Sequence, residues 1–192
     1  MMVQVLLIRH GATAGNLQKR YIGRTDEPLT QTACEQLRAA RYPSVDAVVC
    51  SPLLRCRQTA ALIWPASEAV VCDDLRETDF GRFEGKNHAE LDGDADYQAW
   101  LDSGGTLPFP EGEDTFAFRD RCAAAFEQML SKPEFSGKKV AFVVHGGTIM
   151  AVLERFSSPK SSFYDWHIAN GKGFCCLWNG SSLTEISPLK EE

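Results

Sequence analysis

Apolar residues along this chain fall into two kinds of run. Val3–Ile8, Val45–Cys50, Ala69–Cys72 and Lys139–Val144 are short and rich in β-branched residues, the pattern of strands covered on both faces. Between them the apolar positions recur every three or four residues, which predicts helices. One starts at Leu29-Thr30 and runs to Ala40 with Thr30 as N-cap; another spans Leu54–Trp64 with Ser51 as cap and Pro52 in its first turn. A helix from Asp114 to Leu130 turns Phe116, Cys122, Phe126 and Met129 to the core, and a last one runs from the His145-Gly146-Gly147 turn to Phe156. Phe174–Trp178 and Leu183–Ile186 read as a hairpin turning at Asn179-Gly180.

Two stretches break the rhythm. Gly11–Pro28 is polar and too irregular for one helix. Leu75–Gly112 is punctuated by glycine and proline, with one helix expected from His88 to Leu101; it reads as a variable cap over a pocket. Strands alternating with helices predict an α/β fold, a mostly parallel central sheet covered on both faces, with the hairpin adding an antiparallel strand. At 192 residues, a single domain over 1–192 is expected.

Composition narrows the partners. A formal net charge of −6 argues against a dominant surface for nucleic acid or an anionic membrane, so cations acting on a substrate should be clustered locally. The apolar start is short and runs into Arg9-His10, unlike a signal peptide, and no stretch approaches a membrane span. The seven cysteines are scattered without a Cys-x-x-Cys pair, which favours reduced thiols in a cytoplasmic protein over a disulfide framework or a zinc site.

Candidate chemistry sits at strand ends. Arg9-His10-Gly11, Ser51-Pro52 with Arg55 a turn later, Glu77, and His145-Gly146-Gly147 each follow a predicted strand. A parallel sheet gathers such ends along one edge, where ligands of α/β sheets bind. Two imidazoles, two guanidinium groups and a carboxylate suit phosphoryl transfer. A neutral His10, its tautomer fixed by a backbone carbonyl, can attack phosphorus; Arg9 and Arg55 offer forked donors to the oxygens. His145, if protonated, adds a cation, and the Gly146 amide can donate at a helix start. Glu77, raised by a neighbouring phosphate, can protonate an alkoxide and later activate water. Taken singly, His145 could be a strand-end histidine, and Arg55 beside Arg57 and Gln58 a solvated surface charge. His88 and His167 show no partner and read as structural or peripheral. Of Phe80, Phe83, Tyr97, Trp100 and Phe109, most are expected in the core.

At these residues the chain resembles the histidine phosphatase superfamily, in its phosphoglycerate mutase-like branch. Arg9-His10-Gly11-Ala12-Thr13 with Asn16 is similar to the family's opening signature, and Gly23, Asp26, Pro28-Leu29-Thr30 and Gln36 follow its next pattern. Ser51-Pro52-Leu53-Leu54-Arg55 with Gln58-Thr59-Ala60, then Leu75-x-Glu77-x-x-Phe80-Gly81 with Glu84-Gly85, Pro110-x-Gly112-Glu113, and His145-Gly146-Gly147 continue it in order. The resemblance implies a three-layer α/β/α sandwich and a cofactor-free, metal-independent phosphatase with His10 as phosphorylated nucleophile. Arg9, Arg55 and His145 would complete the phosphate pocket and Glu77 would be the acid/base. Gly11, Thr13, Asn16, Ile22, Gly23 and Gly146 would add to the substrate-binding set.

The short chain and the Glu77…Phe80-Gly81…Glu84-Gly85 pattern resemble the α-ribazole phosphatase and broad-specificity branches, so a small phosphorylated metabolite such as α-ribazole phosphate or a sugar phosphate is the implied substrate. A phosphoglycerate mutase is the alternative, and a non-catalytic phospholigand-binding module the third reading. Ala33, Ile22 and Met150 depart from the family pattern, the last two where substrate contacts are expected.

Overall fold

A computed structural model describes residues 2–189. In chain order its main elements are β1 (Val3–Arg9), α1 (Ala14–Leu17), α2 (Gln31–Ala39), β2 (Ala47–Cys50), α3 (Leu54–Ile63), β3 (Val70–Val71), α4 (His88–Leu91), α5 (Ala95–Asp102), α6 (Thr115–Leu130), β4 (Lys139–Val144), α7 (Gly146–Phe156), β5 (Gly173–Trp178) and β6 (Leu183–Pro188). The six strands form one sheet in the order β3-β2-β4-β1-β5-β6. β3, β2, β4 and β1 are mutually parallel; β5 runs antiparallel to β1 and to β6, so one strand opposes the rest.

Alternation along β1 explains the layering. Val3, Val5 and Leu7 pack with Phe126, Met129, Val152 and Leu153 of α6 and α7 on one face. Leu6 and Ile8 point the other way, onto Cys56, Ala60 and Trp64 around α3. With both faces covered from Val5 to Ile8, that part of the strand has no polar side to show, hence its unbroken apolar run, and the exposed Gln4 lies at the strand's start. A separate cluster of Phe83, Leu91, Tyr97 and Phe109 holds the 75–112 cap together.

Several local expectations change. The helix expected from His88 to Leu101 is two, α4 and α5. Gly93 takes φ +80° between them, and Asp94 caps α5 through the Asp96 and Tyr97 amides. Ser51 does not cap α3: the N-cap residue is Leu53, without a side-chain cap, and the Leu54 amide donates to Asp26 Oδ1 at 2.7 Å. Phe116 is 55 % exposed; the first buried apolar residue of α6 is Phe118, two residues and about 200° further round the helix. Within 11–28, Thr13 and Asn16 form a capping box on α1.

None of the seven cysteines is in a disulfide. Among the described residues no helix is long and apolar enough to cross a membrane, and no three metal-ligating side chains are clustered.

Candidate active site

Strand register builds the floor of the site. Arg9 of β1 lies opposite Val144 of β4, so His10 and His145 leave the sheet side by side, with the His10 amide still donating to Val144 O at 3.0 Å. Their ring centroids are 5.2 Å apart at 66°. On the far side of β4, Cys50 of β2 is opposite Val143, and the next residue, Ser51, places Oγ 2.7 Å from His145 Nε2. Both imidazoles and Ser51 are buried.

His10 Nδ1 lies 2.7 Å from Gly11 O. A carbonyl only accepts, so Nδ1 carries the proton and Nε2 keeps its lone pair, the tautomer a nucleophile needs. Burial, then the Arg55 charge, holds the His10 pKa well below the usual imidazole value, against the Gly11 bond that raises it. Burial first and Arg55 second do the same to His145, with further contributions from His10 and Arg9. The protonated His145 considered from the sequence is therefore disfavoured by its protein surroundings; an anion between the rings would supply the counter-charge it needs.

Arg55 is fully buried rather than solvated. Its Nη1 donates to Thr25 O at 2.8 Å and its Nη2 to Gly23 O and Ile22 O at 2.8 and 3.3 Å, while Nε is buried with no partner. Arg9 donates through Nη1 to Ile168 O at 2.7 Å, and its Nε is likewise buried and unpartnered beside Gly146. Among the described residues neither guanidinium is in an ion pair. A half-buried and a fully buried guanidinium, each with an unpartnered Nε, suit a bound anion, because an unmatched buried charge is costly.

Glu77 enters from the segment after β3. Its Oε1 accepts from the Thr78 amide at 3.1 Å and its Oε2 from the Gly147 amide in the first turn of α7 at 3.3 Å. Desolvation of the carboxylate raises its pKa, against the Thr78 and Gly147 amides and the charges of Arg55 and Arg9. Burial thus does what was expected only from a bound phosphate. Glycine at 147 leaves the carboxyl its place: a Cβ there would run into Glu77 Oε1 and come within 3.0 Å of the Phe118 ring, so the carboxyl would have to shift.

A cavity of about 250 Å³ opens above these groups, lined at its base by Arg9, His10, Asn16, Ile22, Glu77 and Gly146. The histidine phosphatase superfamily (branch 1) model matches residues 5–183. The chain belongs to that superfamily. It is 31% identical to the uncharacterized phosphatase PhoE of Bacillus subtilis (strain 168), over 99% of this chain and 94% of that protein. A crystal structure of a putative α-ribazole-5′-P phosphatase from Escherichia coli K-12 superposes with a TM-score of 0.85 at 27% identity, covering 98% of this chain and 96% of that one. A phosphoglycerate mutase from Thermus thermophilus superposes with a TM-score of 0.74 at 27% identity, covering 98% and 99%.

Other members of the expected set lie behind the wall of this cleft. Arg55 and His145 are fully buried. Gly11 holds His10 through its carbonyl and donates to Thr59 Oγ1 at 3.0 Å. Thr13 is buried and spent on capping α1. Gly23 gives its carbonyl to Arg55 and its amide to Glu84 Oε1. None of Gly11, Thr13, Gly23, Arg55 and His145 lines the cavity.

Sequence reasoning missed part of the wall. His167, read as peripheral, lines the cavity with Phe163 and Tyr164; His88, by contrast, packs on Tyr97 with Nδ1 3.2 Å from its hydroxyl. Phe80, Trp100 and Phe109 line the cavity, whereas Phe83 and Tyr97 lie in the cap core. Asn170 was also missed. Its Nδ2 donates to His10 O at 3.0 Å and Asn16 Oδ1 at 3.2 Å, and Asn16 Oδ1 accepts from the Thr13 amide as well. Doubly engaged, that oxygen leaves the Asn16 NH₂ as the free end of its amide. Asn170-Gly171 just before a strand reads as an ordinary turn, so nothing in the sequence pattern marked it.

Proposed function

We propose that this chain is a metal-independent phosphomonoesterase working through a phosphohistidine on His10. The observation that carries the reading is the pair of imidazoles 5.2 Å apart, one with its lone pair free, flanked by two guanidinium groups without ion-pair partners. His10 Nε2 attacks phosphorus and the ester P–O bond breaks. Glu77, whose pKa burial raises, passes its proton to the departing alkoxide. The resulting carboxylate takes a proton from water, which attacks the phosphohistidine; phosphate leaves and Nε2 regains its lone pair. Arg9 at the base of the cavity, backed by Arg55 and His145 behind its wall, stabilises the charge on the equatorial oxygens, usually the largest catalytic contribution. Arginines supply the positive charge that a metal provides elsewhere.

The proposed substrate is a small phosphorylated metabolite, such as α-ribazole phosphate or a sugar phosphate, and the E. coli neighbour, a putative α-ribazole-5′-P phosphatase, supports the first of these. The test is labelling with a ³²P-phosphomonoester in the presence of a chelator. The expected result is an acid-labile label on His10, with the His10→Ala variant losing both label and turnover by at least about 10³-fold, roughly 4 kcal/mol of transition-state stabilisation. Unaltered hydrolysis by that variant would defeat the proposal. Interconversion of 3- and 2-phosphoglycerate, dependent on bisphosphoglycerate and faster than phosphate release, would replace it with the mutase that the Thermus neighbour represents.

A further inference from the structure

Above the phosphate end the cleft changes character. Phe80, Trp100 and Phe109 approach from the cap, Phe118 from α6, and Phe163 and Tyr164 from the segment after α7. The cap rings brace one another, with Phe80 and Phe109 centroids 5.0 Å apart and Trp100 and Phe109 5.3 Å apart. The Trp100 indole N–H is buried and has no partner. Enclosed in this way the N–H is not open to the cavity, so Trp100 meets it with ring carbon in largely aromatic surroundings.

Charge is missing from this wall. Besides Arg9, the one arginine or lysine lining the cavity is Arg20. Its guanidinium is held bidentately by Glu90 at 2.6 and 2.9 Å, with Nε on Gln18 Oε1 and Nη1 also on Gly85 O, so its charge is already matched. His167 stands exposed at the rim. A carboxylate on the alcohol part of a substrate would lose water here and face aromatic rings and Glu77. A flat apolar group would instead replace water against those rings.

Resting on the phosphomonoesterase reading, we infer that the leaving-group wall selects esters of uncharged alcohols bearing a flat apolar ring, and rejects phosphoesters that carry a carboxylate. At about 250 Å³ the cavity admits one such ring beside the phosphate. Full burial of a phenyl group is worth about ten- to a hundredfold in affinity.

The experiment compares kcat/KM for 2-phenylethyl phosphate, glycerol 1-phosphate, 3-phosphoglycerate and phosphoserine. All are alkyl esters, which keeps leaving-group reactivity out of the comparison. The phenylethyl ester is expected to exceed glycerol phosphate at least tenfold and the two carboxylates at least a hundredfold. Trp100→Ala is expected to collapse the phenylethyl-to-glycerol ratio at least tenfold, with Trp100→Phe retaining most of it. Carboxylate esters turned over as well as the phenylethyl ester, or a ratio untouched by Trp100→Ala, would overturn the inference. Calorimetry with 3-phenylpropylphosphonate and 3-phosphonopropionate reads the same order from affinity alone. A protein inactive on every ester would therefore end the phosphatase reading, while the preference of the wall would still be decided by those two phosphonates.

Discussion

At the floor of the cleft His10, Ser51 and His145 each sit one residue beyond a paired strand position; at the rim Phe80, Trp100, Phe109 and Tyr164 come from segments that share no sheet pairing. The floor is polar and tied to main chain, through Gly11 O on His10, Gly147 N on Glu77 and the carbonyls of residues 22, 23 and 25 on Arg55. The rim is apolar and held by ring-on-ring contact. Reaction chemistry tolerates little displacement, so it is fixed by hydrogen-bond register; substrate choice is carried by packing that can be rearranged without touching the sheet.

Replacements on the floor should therefore cut the rate of every substrate, and those at the rim the choice among them. Glu77→Gln has the largest expected effect of the following, a fall of about 10²- to 10⁴-fold in kcat/KM on alkyl esters. It should be much milder on p-nitrophenyl phosphate, whose leaving group needs no proton. The acid must be protonated to donate, so wild-type kcat/KM should decline as pH rises through the Glu77 pKa. That limb lies above the ordinary carboxyl range because the carboxyl is desolvated, and a pH profile of the Gln variant should lack it.

Asn170→Ala comes next. Asn170 is a positioning residue, and about a tenfold rise in KM and in the inhibition constant of inorganic phosphate is expected, since a hydrogen bond to a charged group is worth roughly 1.5–3 kcal/mol at most. If it acts through Asn16, the same change in an Asn16→Ala background should cost clearly less; full additivity would assign it a separate role.

The last effect is on stability rather than on rate. The folded-state pKa values of His10 and His145 are depressed, so below about pH 6.5 the unfolded chain takes up protons that the native site refuses. Stability in phosphate-free buffer should fall as pH drops from 7 toward 5, by up to about 1.4 kcal/mol per pH unit per histidine. Thermal melts should show this slope, and saturating phosphate should flatten it. A melting temperature indifferent to pH in that window would contradict the burial of both rings.

The same contrast decides what could be read from the chain. Strand runs ending in Arg9-His10, Cys50-Ser51 and Val144-His145 are local signals, and the sheet converts them into a site without further information. Ser51 was visible but misassigned, because a serine before a helix looks like a cap whether or not its hydroxyl is committed to an imidazole. Arg55 sits in a polar stripe, yet the loop of residues 22–25 folds over it and removes it from water. Phe163, Tyr164 and His167 lie far along the chain from the cap they face across the cleft, as Asn170 does from the His10 and Asn16 it bonds, and no periodicity encodes those meetings. Gly93 was readable as a break; the helical spacing on either side overrode it.

The pairing of Arg9 with Val144 has one more consequence, for how such a chain can diversify. Everything between β1 and β4 can gain or lose residues wherever it loops, because the two imidazoles are brought together by the ladder and not by the length of what joins them. Inside Val3–Arg9 or Lys139–Val144 a single inserted residue would swap the inward and outward faces of the strand and carry its histidine out of line. Insertions and deletions accepted by descendants of this chain should therefore crowd into the cap and the loops, leaving the two strand segments constant in length.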